Sequence, residues 1–322
     1  MFQQVLDLLT LPSKATHVLG VNARNRAVIK PYNPRRHYPL ADDKLRTKEA
    51  LEAHGIPVPR TLDVFANLVE AATAPERLRH LDDFVIKPAS GRAGKGILVL
   101  VGRQDGNPAA PEATSGAPTT GWLDTSGNLW IPREISRWIS NIIFGNYAHG
   151  LSDRALIEER LAPLPLLDDA PLFGLPDIRV LVFRGTPVLG MLRLPTRRSH
   201  GKANLHQGAI GVGVDLIDGR MTRATYRGRR IEAHPDGDTP LIGRVVPHWS
   251  AVLDVARAAA AALPLGYLGI DVALDARRGP MILEVNVRPG LEIQNANGHG
   301  LRTLLAALER SINDRDGQRS DE

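Results

Sequence analysis

Short apolar runs, separated by polar or glycine-rich turns, recur along the chain and predict strands more often than helices. Three pairs of these runs predict β-hairpins: 84–87 with 97–101, 177–183 with 187–194, and 267–274 with 281–287. Helical patterning is restricted to residues 42–54, 133–144, 248–263 and 300–312. Hairpins mixed with isolated helices are typical of an α+β fold, because a parallel sheet would alternate strand and helix.

The positions of proline and glycine indicate how the chain is organised. Residues 1–40 predict an extended N-terminal arm, residues 41–308 the main domain, and residues 309–322 a polar C-terminal tail. We expect the main domain to divide at residue 154. The part before it (41–154) holds a helix and a glycine-rich lid, and the part after it (155–308) the metal- and substrate-binding strands. The segments 102–121 and 161–176 lack periodicity and predict inserted loops.

The composition excludes several classes of protein. The 322 residues include 40 Lys and Arg against 35 Asp and Glu, a net charge of +5, and no cysteine. Disulfides, thiolate catalysis and Cys-ligated zinc are therefore excluded. The most apolar stretch, residues 251–274, contains Asp254, Arg257 and Asp271, so we expect no membrane insertion. Asp7 in the first apolar stretch argues against a signal peptide, and a cytoplasmic protein is expected.

The strongest candidate for chemistry is the predicted hairpin over residues 268–290, LGIDVALDARRGPMILEVNVRPG. If Asp271 lies opposite Glu284, Asn286 falls on the same face and Gly269 lies opposite Asn286. Two carboxylates and an amide oxygen are hard ligands that suit Mg²⁺ shared with nucleotide phosphates. The alternative is that both carboxylates lie on the solvated face of an edge hairpin.

A second candidate is the glycine-rich loop in FVIKPASGRAGKGILVL, residues 84–100. Its backbone N–H groups, with Ser90, Arg92 and Lys95, suit a phosphate, although a plain hairpin turn fits the loop about equally well. The chain leaves it into a strand and the GxxxxGK[ST] spacing is absent, so it is not a Walker A loop. Lys87 interrupts an apolar strand and needs an anion, for which a phosphate is the obvious partner.

Two further polar segments are candidates. In DIRVLVF, Asp177 and Arg179 alternate with apolar residues and share one face, which suits either a site or a surface salt bridge. In RLPTRRSHGKANLHQGA, residues 193–209, Lys202 and Asn204 belong to a basic cluster that either binds anions or is simply solvated.

In chain order these motifs resemble the ATP-grasp superfamily, and especially the alpha-L-glutamate ligase-like proteins, which are related to enzymes that add glutamate to a ribosomal protein. The series over residues 41–308 is the helix at Lys44, GIPVP, VIKP, SGRAGKG, LIEERL, DIRVLVF, KANLHQG, GIDVAL and ILEVNVRPG. The resemblance implies two α+β subdomains that grip ATP between antiparallel sheets. It also implies an ATP-dependent carboxylate–amine ligase that forms an amide bond through an acyl phosphate, with glutamate, another amino acid or a peptide as substrate and an amine as acceptor.

The resemblance also assigns roles to individual residues. The implied ATP-binding residues are Lys44, Lys87, Ser90, Gly91, Arg92, Gly94, Lys95, Gly96, Glu159, Arg160, Asp177, Lys202 and Asn204. The implied ligands of two Mg²⁺ ions, or of Mn²⁺, are Asp271, Glu284 and Asn286. The implied catalytic residues are Lys202, Asn204, Arg179 and Arg288, the two arginines for the carboxylate being activated and its acyl phosphate.

Two other classes of function compete with a ligase. An ATP-binding regulatory or scaffold protein would keep the fold without turnover, but the retained Asp271, Glu284 and Asn286 argue against it. Nucleic-acid binding through the basic residues 30–37 and 193–202 lacks an aromatic stacking pattern, since Phe, Trp and Tyr make up 5% of the chain. We therefore expect ATP and an amino-acid or peptide substrate as partners, no nucleic acid, and a homo-oligomer as an open alternative to a monomer.

Overall fold

The structure, a computed structural model, describes residues 17–91, 94–104, 120–148, 150–167 and 174–320. Contacts divide the chain into two compact units. The seven-stranded unit comprises the chain up to Asp42, Arg46–Val58 and the chain from Pro163, and the six-stranded unit comprises Asp43–Leu45 and Pro59–Ala162. Each unit has its own hydrophobic core. Helices accompany antiparallel sheets in both units, which confirms the α+β class.

The elements are numbered along the chain. The strands are β1 (Thr61–Phe65), β2 (Phe84–Pro88), β3 (Leu98–Gln104), β4 (Gly121–Asp124), β5 (Leu129–Trp130), β6 (Ala155–Glu158), β7 (Asp177–Phe183), β8 (Thr186–Leu194), β9 (Ile210–Val214), β10 (Met221–Tyr226), β11 (Arg229–Ile231), β12 (Tyr267–Asp275) and β13 (Gly279–Asn286). The longer helices are α1 (Lys44–Glu52), α2 (Leu68–Leu78), α3 (Pro132–Ile143), α4 (Trp249–Ala261), α5 (Glu292–Asn297) and α6 (Leu301–Ser320).

The six-stranded unit is a sheet of strand order β1-β6-β2-β3-β4-β5, packed with α2 and α3. All of its neighbouring strands pair antiparallel. Ile135, Ile139 and Ile142 recur every three or four residues in α3 and are fully buried, so one face of this helix fills the core. This sheet holds the glycine-rich loop between its adjacent strands β2 and β3.

The seven-stranded unit is an antiparallel sheet of order β11-β10-β9-β8-β7-β12-β13, with α4 and α5 on opposite faces. A Cβ added at Gly190 of β8 would meet the ring of Trp249 in α4 at 2.7 Å. A Cβ added at Gly213, opposite Met191 in the next strand, would lie 2.6 Å from the backbone oxygen of Ala296 in α5. The two glycines thus let one helix approach each face closely.

Residues 21–42 do not form an extended arm, so that part of the sequence prediction is wrong. They form short helical segments, Val21–Arg24, Asn25–Ile29, Lys30–Tyr32, Arg35–His37 and Pro39–Asp42. Proline lies at or just before the first turn of each of the last three segments, where it does not prevent helical backbone angles. Within this segment the Asn33 side chain joins two strands. Its Nδ2 donates to the oxygens of Tyr267 (2.7 Å) and Val287 (2.9 Å), and its Oδ1 accepts from the Tyr267 N–H (2.9 Å).

The three predicted hairpins are present, and their strands lie within a few residues of the predicted bounds. The sequence reasoning missed β1, α2, β4, β5, β9 to β11, α5 and the segment Pro39–Asp42, and its helix 42–54 corresponds to α1, which is two residues shorter at each end. The predicted tail is helical as far as Ser320. Residues 105–119 and 168–173, which make up most of the two predicted insertions, lie outside the described residues. No helix in the described part of the chain is long and apolar enough to cross a membrane.

Candidate active site

Strands β12 and β13 pair in the predicted register. Asp271 lies opposite Glu284 and Gly269 opposite Asn286. One extra residue, Leu283, forms a bulge in β13, so that Asp275 pairs with Gly279 and the turn between them has three residues. The bulge shortens the turn without moving the three polar side chains off their common face.

On the other side of Asp271, strand β7 contributes a guanidinium. Arg179 pairs with Asp271 in the sheet register, and its Nε and Nη2 donate to the two Asp271 oxygens at 2.7 and 2.6 Å. Both donors of this planar fork are therefore engaged by one carboxylate. Asp271 therefore occupies the Nε–Nη2 edge of Arg179, and the predicted role of Arg179 toward the substrate carboxylate stays a prediction.

Arg193 of β8 extends this pair into a four-residue charged network. Its Nη2 donates to Asp177 Oδ2 at 2.6 Å and to Asp271 Oδ2 at 2.8 Å, and its Nε also bonds Asp177. The side chains of Asp177, Asp271, Arg179 and Arg193 are 10%, 3%, 12% and 12% exposed, so solvent screens them little. Two cations balance two anions, as burial of charge requires.

The two carboxylates of the network titrate differently. Burial raises the pKa of Asp177 to about 6, and the neighbouring Asp271 adds to the rise while Arg193 opposes it. Burial also disfavours ionisation of Asp271, but Arg179 and Arg193 outweigh it and hold the pKa of Asp271 below its usual range. Asp271 is thus the carboxylate kept ionised.

The remaining two residues of the predicted metal site lie beside Asp271. Asn286 Nδ2 donates to Asp271 Oδ2 (3.2 Å) and, more weakly, to the Gly269 oxygen (3.4 Å). Glu284 is half-buried on the same face. In the described part of the chain, no three His, Cys, Asp or Glu side chains form a cluster able to hold a metal. A metal on this face would therefore use Asn286 together with the two carboxylates.

In the six-stranded unit, the predicted nucleotide-binding lysine already has an anion. Lys87 Nζ lies 2.6 Å from Glu158 Oε2, and both side chains are buried. Glu158 lies opposite Val85 in the antiparallel pair β2–β6 and so shares a face with Lys87. Glu158 is therefore the anion that balances the charge of Lys87. Sequence reasoning missed Glu158, although it is a lone carboxylate in an apolar strand.

The start of the glycine-rich loop is fixed by local polar contacts. Ser90 N–H donates to both oxygens of Asp153, at 3.1 and 3.0 Å. Lys44 Nζ donates to the Gly91 oxygen at 2.7 Å. Arg92, predicted to face phosphates, lies outside the described residues.

The end of the loop rests on aromatic rings. Gly94 and Gly96 both have positive φ, +69° and +76°. A Cβ added at Gly96 would lie 2.6 Å from the ring of Tyr147, and Trp138 Nε1 donates to the Gly96 oxygen at 3.2 Å. Lys95 lies between the two glycines and is exposed. The loop is therefore anchored at this end, a feature that the sequence motif did not reveal.

The predicted adenine-side residues are engaged within the same unit. Glu159 Oε1 accepts from the Arg60 N–H at 2.5 Å, and Glu159 N–H donates to the Arg60 oxygen at 3.0 Å. Arg160 Nε donates to Asp83 Oδ2 at 2.8 Å. These contacts fix the backbone that follows β6.

The basic segment after β8 is a turn held in place by hydrogen bonds. Asn204 caps the short helical turn Leu205–Gln207 by accepting from the His206 N–H at 3.0 Å, and Lys202 is exposed. Asp236 Oδ2 accepts from the Arg197 N–H at 2.7 Å. His234, fully buried, lies with Nε2 3.3 Å from the Pro195 oxygen. The structure brings neither Lys202 nor Asn204 into the charged network.

Arg288 is the half-exposed guanidinium at the end of the β12–β13 hairpin. Its Nη2 lies 3.5 Å from Asp42 Oδ2, and its Cζ lies 5.1 Å from the centroid of the Tyr38 ring. An N···O separation of 3.5 Å is long for a hydrogen bond, so its fork is held loosely.

One family of known proteins matches most of the chain. Residues 23–310 match the family described as sugar-transfer associated ATP-grasp. The chain belongs to this family. The predicted resemblance to ATP-grasp, glutamate ligase-like proteins is thereby confirmed. ATP-grasp proteins generally use ATP and Mg²⁺.

This ATP-grasp chain is similar to a probable alpha-L-glutamate ligase of Sodalis glossinidius (strain morsitans), with 43% identity over 74 residues. The match spans 22% of this chain and about a quarter (25%) of the relative. Among solved structures, D-cycloserine synthetase DcsG is 18% identical with a TM-score of 0.46, over 87% of this chain and 73% of that one. D-alanine–D-alanine ligase from Bacillus anthracis is 16% identical with a TM-score of 0.45, over 87% and 69%.

Proposed function

We propose that this protein is an ATP-dependent carboxylate–amine ligase that forms an amide bond through an acyl phosphate. The observation that carries the proposal is the register of β12 and β13, which puts Asp271, Glu284 and Asn286 on one face of the sheet. Membership in the ATP-grasp family supports the same conclusion. The proposed substrates are an amino acid, glutamate first, or a peptide with a free carboxylate, together with an amine acceptor.

The donor set on this face fits Mg²⁺. Asp271 and Glu284 supply carboxylate oxygens and Asn286 an amide oxygen, all hard ligands. We propose that these three residues hold two Mg²⁺ ions, or Mn²⁺, whose charge would neutralise the phosphates of ATP. Arg179 and Arg193 position Asp271 and keep it ionised. The proposed role of Arg288 is to bind a carboxylate of the substrate.

The proposed groups for ATP in the six-stranded unit are held by contacts within the protein. Lys87, paired with Glu158, is a fixed cation, and the backbone N–H groups of residues 94–96 suit phosphate oxygens. Lys44 and Ser90 fix the start of the loop through Gly91 and Asp153. Glu159 and Arg160 are proposed to present backbone groups to adenine.

The reaction consists of two displacements. A carboxylate oxygen of the substrate attacks the γ-phosphorus of ATP, the bond to the leaving ADP breaks, and an acyl phosphate forms. The acceptor nitrogen then attacks the acyl carbon, the carbon–oxygen bond to phosphate breaks, and the nitrogen loses a proton. Neither step requires a protein nucleophile, so positioning and charge neutralisation by the chain provide the catalysis.

The test is ADP release with Mg²⁺ while amino acids and amines are presented singly and in pairs. Amino sugars belong in the acceptor panel, because the family is described as sugar-transfer associated. Glu284→Gln should fold normally and lose ADP release at least a hundredfold, about 3 kcal/mol of barrier. The matched control is Glu292→Gln, the same charge change at an exposed side chain of helix α5, where Glu292 accepts from Asn295 at 2.8 Å.

ATP binding without ADP release under any pairing would instead support a regulatory or scaffold protein. Turnover of Glu284→Gln at the wild-type rate would remove Glu284 from the metal site. Either result would contradict the proposed function as stated.

A further inference from the structure

Arg24, in the segment Val21–Arg24, is a buried cation with only neutral partners among the described residues. The residue is 8% exposed. Its Nη1 donates to the Pro289 oxygen at 2.7 Å, and its Nε and Nη2 donate to Asn25 Oδ1 at 3.2 and 2.9 Å. These bonds use three of the five guanidinium N–H groups. A buried charge normally has a charged partner, so binding of an anion would stabilise the Arg24 guanidinium.

A second guanidinium is close to Arg24. The Pro289 oxygen that Arg24 binds belongs to the residue after Arg288. Burial lowers the pKa of Arg24, and the charge of Arg288 lowers it further. Two like charges repel unless an anion lies between them or near both. Because Arg288 is held loosely by Asp42, its fork can turn to such an anion.

A third polar group in this region has no partner. Tyr267 is fully buried, and in the described part of the chain its hydroxyl is the buried side-chain atom without a hydrogen bond. Leaving a buried hydroxyl unpaired costs about 1–3 kcal/mol. Tyr267 is two residues before Gly269, which lies opposite Asn286, so Tyr267 lies at the level of Arg288 across the hairpin, and Asn33 Nδ2 bonds the backbone oxygens of both Tyr267 and Val287. Burial raises the pKa of Tyr267, and the charge of Arg24 opposes this rise. Tyr267 precedes Gly269 by two residues on β12 and shares the face that carries Asp271.

We propose that Arg24, Arg288 and the Tyr267 hydroxyl form a binding site for a carboxylate of the amino-acid substrate. The identity of the ligand rests on the proposed ligase function. Tyr267 lies four residues from Asp271, or roughly 13 Å along the strand, and two residues from the level of Gly269 and Asn286, or roughly 7 Å, at about 3.3 Å per residue. A carboxylate that two guanidiniums and a hydroxyl bind is a poor nucleophile, so this site suits a carboxylate that does not receive the phosphoryl group. A substrate with a second carboxylate, such as glutamate, is the chemical class that fits.

The test is calorimetric binding of L-glutamate to the full chain with Mg²⁺ and a non-hydrolysable ATP analogue. L-Glutamine and L-isoglutamine, which lack the γ- and the α-carboxylate respectively, identify the carboxylate that is bound. Tyr267→Phe removes a hydroxyl that bonds nothing in the protein. We expect unchanged or increased stability and about tenfold weaker glutamate binding. Arg24→Lys keeps the charge without the fork and should weaken binding about a hundredfold. Affinity for the ATP analogue should not change in either variant.

Tyr226→Phe, on β10 of the same unit, is the control and should bind glutamate like the wild type. Wild-type glutamate affinity in both Tyr267→Phe and Arg24→Lys would overturn the site, as would inorganic phosphate that displaces glutamate at equal concentration. Failure of the wild type to bind any of the three amino acids would also overturn it. Binding that is lost in the variants, with no ADP release from the wild type, supports the site and contradicts the ligase function. Normal ADP release in both variants supports the ligase function and contradicts the site.

Discussion

Arg193→Met should strongly destabilise the seven-stranded unit, because Arg193 makes three charge-assisted hydrogen bonds to two buried carboxylates. Bonds to charged groups contribute about 1.5–3 kcal/mol each, and burial of the Met side chain recovers part of the loss. Removal of one partner from a buried ion pair costs about 3–5 kcal/mol, so we expect that range. Urea unfolding at pH 8 without nucleotide measures it.

The same variant should show a characteristic pH dependence. The pKa of Asp177 is already raised to about 6 in the folded protein, so its contribution to stability is present at low pH and lost as pH rises through 6. Arg193 is the charge that opposes this rise, and its removal moves the pKa of Asp177 higher still. At pH 5 the variant therefore holds Asp177 protonated, and its loss of stability relative to the wild type should be smaller than at pH 8.

Arg220→Met is the control, because Arg220 and its partner Asp218 are 53% and 46% exposed. This variant should change the free energy of unfolding by less than about 1 kcal/mol at either pH. A loss for Arg193→Met no larger than that of the control, or one that is equal at pH 5 and pH 8, would refute the reasoning that the network is a buried, charge-balanced unit.

Two further predictions concern glycines. Gly213→Ala, whose Cβ would meet the backbone of α5, should cost about 1–3 kcal/mol in urea unfolding, whereas Gly102→Ala, with nothing within 4 Å, should be nearly neutral. Equal midpoints for the two would contradict the close approach of α5. Gly96→Ala should cost more than Gly55→Ala, since both have positive φ but only Gly96 faces an aromatic ring. Melting temperatures compare this pair, and the opposite order would show that the ring moves aside freely.

The sequence suggested the hairpin register at the candidate metal site, and the structure has Asp271 opposite Glu284 as that hypothesis required. Alternation alone did not select this register, because β12 is buried along its whole length and carries apolar residues on both faces. The bulge at Leu283 could not be predicted, because it changes the length of the turn without changing which residues face the core. Strands β9 to β11 were missed since Gly211, Gly213 and short polar runs mask their alternation.

The sequence also could not show which charged residues of distant strands would pair with each other. The sequence identified Arg179 and Lys87 as polar residues in apolar strands but assigned both to ligands. Their anions, Asp271 and Glu158, are brought beside them by strand order, which alternation alone does not specify. Arg193 was recoverable in principle, as the charged residue of the apolar run TPVLGMLRL.

The Asn33 side chain has a consequence for the order of folding. Strands β12 and β13 meet through a three-residue turn and can pair early, since closing so short a loop is fast. The bonds from Asn33 to the open end of that hairpin join residues 234 and 254 positions apart. Closing such a loop costs roughly 5 kcal/mol of chain entropy before any contact offsets it, so these bonds form late. The open end of the hairpin, where Tyr267 and Arg288 lie, is therefore completed only when the two distant parts of the chain meet.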